Sequence, residues 1–148
     1  MSFLNAFKKL GAKNTDAPST LPPQFEPPKK ILIVEDEESL RSLYLEILQH
    51  EGFEVKGAEN GQLALSAFPQ FMPSLILLDL MMPVMNGKEF LRTMSEQESL
   101  KNIPVIVLTN AGDIDSMNEV KYYSNVKTFL IKASITPQDI VNNVKTLI

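Results

Sequence analysis

Four short apolar runs in this chain each lead into polar residues that can do chemistry. Ile31 to Val34 runs into Glu35 and Asp36, and Leu75 to Leu78 runs into Asp79. Val105 to Leu108 runs into Thr109, and Phe129 to Ile131 into Lys132. One polar residue after one run is a turn; three carboxylates, a hydroxyl and an ammonium after four runs make a candidate site. Like charges about 4 Å apart, at an effective dielectric of about 20, repel by about 4 kcal/mol. Carboxylates gathered in one place must therefore share a proton or a cation. An all-oxygen set selects a hard ion, and an incomplete one suits Mg²⁺ with water and phosphate oxygens better than a calcium cage. Glu35 and Asp36 alone would equally suit a helix N-terminus. Asp79 is harder to explain that way, because a buried carboxylate costs several kcal/mol unless paired or metal-bound. It is the best nucleophile candidate, since carboxylates form covalent phosphoryl intermediates. Lys132 suits pairing with Asp79 before reaction and with a phosphoryl oxygen after it, and Thr109 offers its hydroxyl to another.

The elements that must carry these residues alternate along the chain. The aliphatic runs lack alternation, as in parallel strands covered on both faces. Phe53 and Val55 alternate with polar residues, which predicts an edge strand. Leu40, Leu43, Tyr44, Ile47 and Leu48 give the spacing of a buried helical face, with Gly52 as its stop. Asn60 is placed to cap a second helix carrying Leu63, Ala67, Phe68 and Phe71. A third helix carries Phe90, Leu91 and Met94, and a fourth, less regular, carries Ile114, Met117 and Val120. Thr136 and Pro137 open the last, which buries Ile140, Val144 and Leu147. The sum predicts an α/β fold, (βα)₅, with right-handed crossovers and a doubly wound five-stranded parallel sheet. The flavodoxin-like order 2-1-3-4-5 fits five strands, and ligands of such sheets bind outside the carboxyl ends where the order reverses. Asp36 and Asp79 then face each other across that switch.

Composition narrows the alternatives. The 148 residues are 44% hydrophobic and 22% charged, ordinary for one soluble domain. The absence of cysteine excludes disulfides, thiolate metal sites and a cysteine nucleophile, and suits a cytoplasmic setting. A single histidine, His50, excludes histidine-clustered metal sites and most triads. A net charge of −4 argues against nucleic-acid binding, and no apolar run approaches the roughly 20 residues of a membrane span. Five of the ten prolines, Pro18, Pro22, Pro23, Pro27 and Pro28, mark residues 14 to 28 as an extended linker. Ahead of it Phe3, Leu4, Phe7 and Leu10 recur at helical spacing beside Lys8, Lys9 and Lys13. Residues 1–28 are thus expected to be an extension, and residues 29–148 the domain.

The stretches ILIVEDEESL, LILLDLMMPVMNGKEF, PVIVLTNAG and FLIKAS resemble the signature segments of bacterial two-component response-regulator receiver domains. The resemblance covers about residues 29 to 148 and is most specific in LLDLMMPVMNG. It implies that Asp79 is the phosphoacceptor, and that Glu35 and Asp36 hold Mg²⁺ with Asp79 and the backbone carbonyl of Met81. Thr109 and Lys132 would contact the phosphoryl group, and Phe129 would turn inward when Thr109 moves. The implied donor is a phosphohistidine on a sensor histidine kinase or phosphotransfer protein. Three positions depart from the family pattern: Ala133 follows Lys132 where proline is usual, Asn110 replaces a small residue, and Asn125 stands where glycine is commoner. Ala133 leaves the isomer of the Lys132–Ala133 bond open, and Asn125 fits a glycine place because Asn visits positive φ readily.

The expected function is phosphorelay signalling by a stoichiometric phosphoacceptor rather than an enzyme, with self-catalysed gain and loss of the group. The last helix ends with the chain and residues 1–28 are too few for a DNA-binding domain. Output through contact with a downstream protein is therefore expected. The alternative is a receiver-like binding module that works without phosphorylation.

Overall fold

The computed structural model describes residues 26–148. The apolar segment from Phe3 to Leu10 and most of the proline-rich linker lie outside the described residues. Ten elements alternate: β1 (Lys30–Val34), α1 (Glu38–His50), β2 (Glu54–Ala58), α2 (Gly61–Ala67), β3 (Leu75–Asp79), α3 (Gly87–Ser95), β4 (Val105–Thr109), α4 (Ile114–Val120), β5 (Val126–Ile131) and α5 (Pro137–Leu147). The five strands form one parallel sheet in the order β2-β1-β3-β4-β5, as the sequence predicts.

Strand geometry explains why the runs are apolar at every position. Successive side chains point to opposite faces, and both faces are covered. Leu32, Val34, Ile76, Leu78, Val105 and Val107 pack on one side with Phe68, Phe90, Leu91, Met94 and Val120 of the region from α2 to α4. Ile31, Ile33, Leu75, Leu77, Ile106 and Leu108 pack on the other with Tyr44 and Leu48 of α1 and Ile140, Val141 and Val144 of α5. Each such side chain contributes roughly 1.5–3 kcal/mol by leaving water. A one-residue slip of register would exchange the two sets, so the pairing is strongly specified.

Local chemistry ends the elements where the sequence suggests. Gly52, at φ 91°, stops α1 in a conformation that a side chain would strain. Asn60 accepts from the Leu63 amide at the start of α2. Asn86 with Glu89, and Thr136 with Asp139, form reciprocal capping boxes on α3 and α5. Among the described residues no helix is long and apolar enough to cross a membrane.

Four expectations are corrected. Leu43 lies on the outer flank of α1 and is 44% exposed, because the apolar stripe is wider than the strip the sheet covers. In α4 only Val120 is buried; Ile114 is 63% exposed and Met117 half-buried. Leu147 is half-buried, the core role passing to Val141. Asn125 does not take positive φ. Its amide donates to the Ile103 carbonyl at 3.1 Å and its carbonyl accepts from the Val105 amide, so side-chain bonding holds the turn. The Lys132–Ala133 peptide is trans.

Candidate functional site at the carboxyl ends of β1, β3, β4 and β5

The alternation that builds the core also assembles the site. Val34 pairs with Leu78, so Glu35 and Asp79 occupy the next rung of adjacent strands. Both continue the series facing α1 and α5, Ile31, Ile33, Glu35 and Leu75, Leu77, Asp79, where the apolar layer gives way to charge. Lys132 follows Leu130 on the same side. Its backbone amide is fixed by the Thr109 carbonyl at 2.8 Å, tying the ends of β4 and β5 together.

The side chains meet. Lys132 Nζ lies 2.6 Å from Glu35 Oε2 and 3.1 Å from Asp79 Oδ2. Glu35 is fully buried and Asp79 nearly so, while Asp36 is exposed. Oxygens of Glu35, Asp36 and Asp79 all lie within 4.8 Å of one another. Glu35 Oε1 accepts from the Glu37 amide at 3.1 Å, and Asp79 Oδ1 from the Met81 amide at 3.2 Å. Glu35 Oε2 has the Lys132 ammonium as its one close cation, and Asp79 shares it. A buried oxygen left in that state beside two further carboxylates suits a hard divalent cation, so this donor set fits Mg²⁺.

Electrostatics follow from the same geometry. Burial is the main cause that raises the Glu35 carboxyl to about 7, with the Asp79 charge adding and Lys132 opposing. Burial likewise raises Asp79 against the pull of Lys132. Burial works to lower the Lys132 ammonium, but Glu35 and Asp79 outweigh it and the net shift is upward. Two carboxylates and one ammonium in a dry place leave an uncompensated negative charge, which a cation relieves.

Gly87 is required beside this cluster by close approach. A Cβ there would lie 2.6 Å from the Asp79 carbonyl oxygen and 2.7 Å from the Leu80 Cα. The loop between them turns at Val84, whose φ of 69° accompanies a bond from the Met85 amide to the Pro83 carbonyl at 2.8 Å. Such a conformation for a β-branched residue costs on the order of 1–3 kcal/mol. It lets the Met85 carbonyl accept from the Gly61 amide, bracing the loop on α2.

Thr109 is fully buried at the end of β4; its hydroxyl lies 3.3 Å from the Asn110 carbonyl and 3.5 Å from Asp113 Oδ2. Phe129, paired with Val107, is half-buried against the face carrying α2 to α4. Met81 holds its side chain half in solvent. Sequence reasoning missed Arg41, whose guanidinium donates to the carbonyls of Glu35 (2.9 Å) and Asp36 (3.3 Å) and lies along Gly57. The available signal was a lone arginine one turn into the helix that follows the acidic pair. Asp113 was missed as well. A cavity of about 510 Å³ between Arg41, Lys56, Glu59 and Gln70 is not lined by Glu35, Asp79, Thr109 or Lys132.

Comparison with known proteins meets this geometry from the other direction. Residues 31–145 match the family described as response regulator receiver domain. Sporulation initiation phosphotransferase F of Bacillus subtilis is 39% identical over 93 residues, which cover 63% of this chain and 73% of that protein. The phosphate regulon transcriptional regulatory protein PhoB of Pseudomonas aeruginosa is 33% identical over 120 residues, covering 81% of this chain and 52% of the relative. The chain thus spans about half the length of that regulator. The chemotaxis response regulator CheY4 of Vibrio cholerae superposes with a TM-score of 0.74 at 28% identity, covering 82% of this chain and 99% of that one. With a family match across most of its length and that family's sheet beneath an acidic edge, the chain belongs to the receiver domains of two-component signalling.

Proposed function

We propose that this protein accepts a phosphoryl group from a phosphohistidine onto Asp79 and thereby changes a surface that a downstream protein reads. The observation that carries this reading is the setting of Asp79. It is buried, fixed by the Met81 amide and Lys132, and within 4.8 Å of two more carboxylates. The Bacillus subtilis relative's name, a phosphotransferase, supports the same chemistry.

Glu35, Asp36 and Asp79 would hold Mg²⁺, together with the carbonyl of Met81. Bound there, the ion supplies positive charge against which phosphoryl oxygens can approach three carboxylates. An Asp79 oxygen forms a bond to phosphorus as the P–N bond of the donor breaks, and that electron pair returns to the imidazole nitrogen. Lys132 releases Asp79 Oδ2 and takes a phosphoryl oxygen in its place, keeping Glu35 as its second partner. The Thr109 hydroxyl donates to another phosphoryl oxygen, and the space it leaves admits the Phe129 ring. The protein acts once per phosphoryl group; water later attacks phosphorus, the bond from phosphorus to the Asp79 oxygen breaks, and inorganic phosphate leaves the Asp79 carboxylate restored.

Intact mass after incubation with acetyl phosphate and Mg²⁺ tests this. The wild type should gain one phosphoryl group, and Asp79→Asn none. Modification of both proteins would remove Asp79 from the acceptor role. A wild type inert both to acetyl phosphate and to beryllofluoride with Mg²⁺ would favour the phosphorylation-independent binding module.

A further inference from the structure

Arg41 follows four acidic residues, Glu35 to Glu38, and shares a cavity with Glu59, yet among the described residues it forms no ion pair. Its Nη1 donates instead to two successive backbone carbonyls, Glu35 at 2.9 Å and Asp36 at 3.3 Å. Glu35 is held in three further ways. Its amide donates to the Ala58 carbonyl at 3.0 Å, its Oε1 accepts from the Glu37 amide, and its Oε2 lies beside Lys132. Asp36 has no such support. It is exposed, and among the described residues no other hydrogen bond reaches its backbone. The stem of Arg41 is placed by the neighbouring strand. Gly57 of β2, opposite Ile33, leaves a lane for it: a Cβ there would meet Arg41 Cγ and Cδ at 3.1 Å. A cavity of about 510 Å³ opens beside Arg41, so the carbonyl bonds and not crowding fix the guanidinium.

We infer that Arg41 is a positioning residue for the acidic cluster: by bonding both carbonyls across the turn from β1 to α1, it fixes how the Asp36 carboxylate meets those of Glu35 and Asp79. The inference rests on the reading of that cluster as a Mg²⁺ site. An exposed carboxylate on an unbraced turn must be ordered when it takes a ligand, and that ordering opposes binding. A turn braced in advance avoids the cost, as supports around metal ligands do elsewhere. Arginine suits the task because its guanidinium stays charged and carries its donors in a fixed plane, so one nitrogen serves two carbonyls. Its charge works the other way, since a cation repels a second cation. Arg41 therefore helps by place and not by charge. Its bonds go to the backbone, which leaves the carboxylate oxygens for the ion.

Two variants of the full chain, Arg41→Met and Gly57→Val, test this with Mg²⁺ alone as the probe, titrated against the amide shifts of Asp36 and Glu37. Arg41→Met keeps an unbranched stem and loses the donors. Gly57→Val keeps the arginine and its charge but fills the lane, and valine suits a strand. In each metal-free variant the Asp36 carbonyl carbon should move upfield as its hydrogen bond is lost. Gly57→Val should then bind Mg²⁺ roughly fivefold more weakly, what one hydrogen bond of about 1 kcal/mol is worth. Arg41→Met should also bind more weakly, by less, because loss of the repelling charge offsets part of the effect. The double variant should be no weaker than Gly57→Val, since both changes act through the same two bonds. An Arg41→Met chain that binds Mg²⁺ as tightly as the wild type, or tighter, would overturn the inference, whatever its urea midpoint. Losses that add in the double variant would overturn it too. Should Gly57→Val fail to fold, Arg41→Met decides alone. If the wild type itself binds no Mg²⁺, the metal reading falls and the role of Arg41 with it.

Discussion

The β3–α3 and β4–α4 units are the same piece of architecture built twice, side by side. Both strands are buried at all five positions and both end on a buried polar residue, Asp79 and Thr109. The helices that follow differ. α3 has nine residues, a capping box, and Gly87, Phe90, Leu91 and Met94 buried. α4 has seven residues, no side-chain cap, and only Val120 buried. The loop into α3 is braced by the Gly61–Met85 bond and by Gly87 packed on the Asp79 backbone. The loop into α4 rests on contacts of 3.1 to 3.5 Å around Asp113. One unit holds the proposed acceptor still; the other is loosely held, and elements that move are drawn from the weakly held part of a fold.

The widest gap between the two should come from the core of α3. Phe90 is fully buried and its ring stacks on Phe68 at 6.1 Å between centroids. Phe90→Ala should cost about 3–5 kcal/mol, the usual loss for an emptied aromatic site. Urea unfolding followed by circular dichroism measures it. A cost of about 1 kcal/mol or less would mean that α3 is no better anchored than α4, and the comparison would fail.

Charge separates the units next. The acidic pair at the ends of β1 and β3 is raised by burial, Glu35 to about 7 from 4.5 and Asp79 in the same direction. Between those two Glu35 values the folded chain holds a proton that the unfolded chain has lost. Stability of the metal-free protein should therefore fall as pH rises from about 5 to about 7.5, by a few kcal/mol. The carboxylates held below their ordinary values, Glu51 by Lys145 and Asp139 by the Thr136 amide, act at lower pH and with the opposite sign. Mg²⁺ held as proposed would favour the ionised cluster of the native state, so its stabilisation should be larger at pH 7.5 than at pH 5. Urea midpoints at the two values, with and without the ion, decide this. Glu35→Gln should flatten the metal-free slope. A midpoint that rises with pH across that window would remove the buried cluster as its source.

Much of this was legible in the residues because strand parity is simple. Ile31, Ile33 and Glu35 share a side, as do Leu75, Leu77 and Asp79, so reading the runs correctly also reads the site. Caps at Asn60 and Thr136 were legible for the same reason: they depend on neighbours within four residues. What periodicity leaves out is depth. It places Leu43 and Ile114 on an apolar stripe but says nothing of how wide the sheet's cover is, and both are exposed. Asn125 was read through backbone preference, yet its side chain found a carbonyl 22 residues away. Arg41 and Asp113 act through backbone carbonyls and amides, partners that side-chain spacing does not reveal.

The smallest effect is the sharpest test of the loosely held unit. Ile114 opens α4 with 63% of its surface in solvent, next to an Asp113 that does not cap. Ile114→Ser removes apolar surface that folding barely covers, and serine loses little against isoleucine in helix propensity. The change should stay within about 0.5 kcal/mol in urea unfolding, as for surface substitutions away from special features. The ion pair between Lys88 of α3 and Glu119 of α4, at 2.9 Å and solvent-exposed, adds less than about 1 kcal/mol to hold the two helices together and does not alter that expectation. A loss above about 1 kcal/mol would mean that Ile114 is covered in solution. If that loss grew with protein concentration, the cover would be another copy of the chain, and α4 would owe its position to an interface and not to its own weak anchoring.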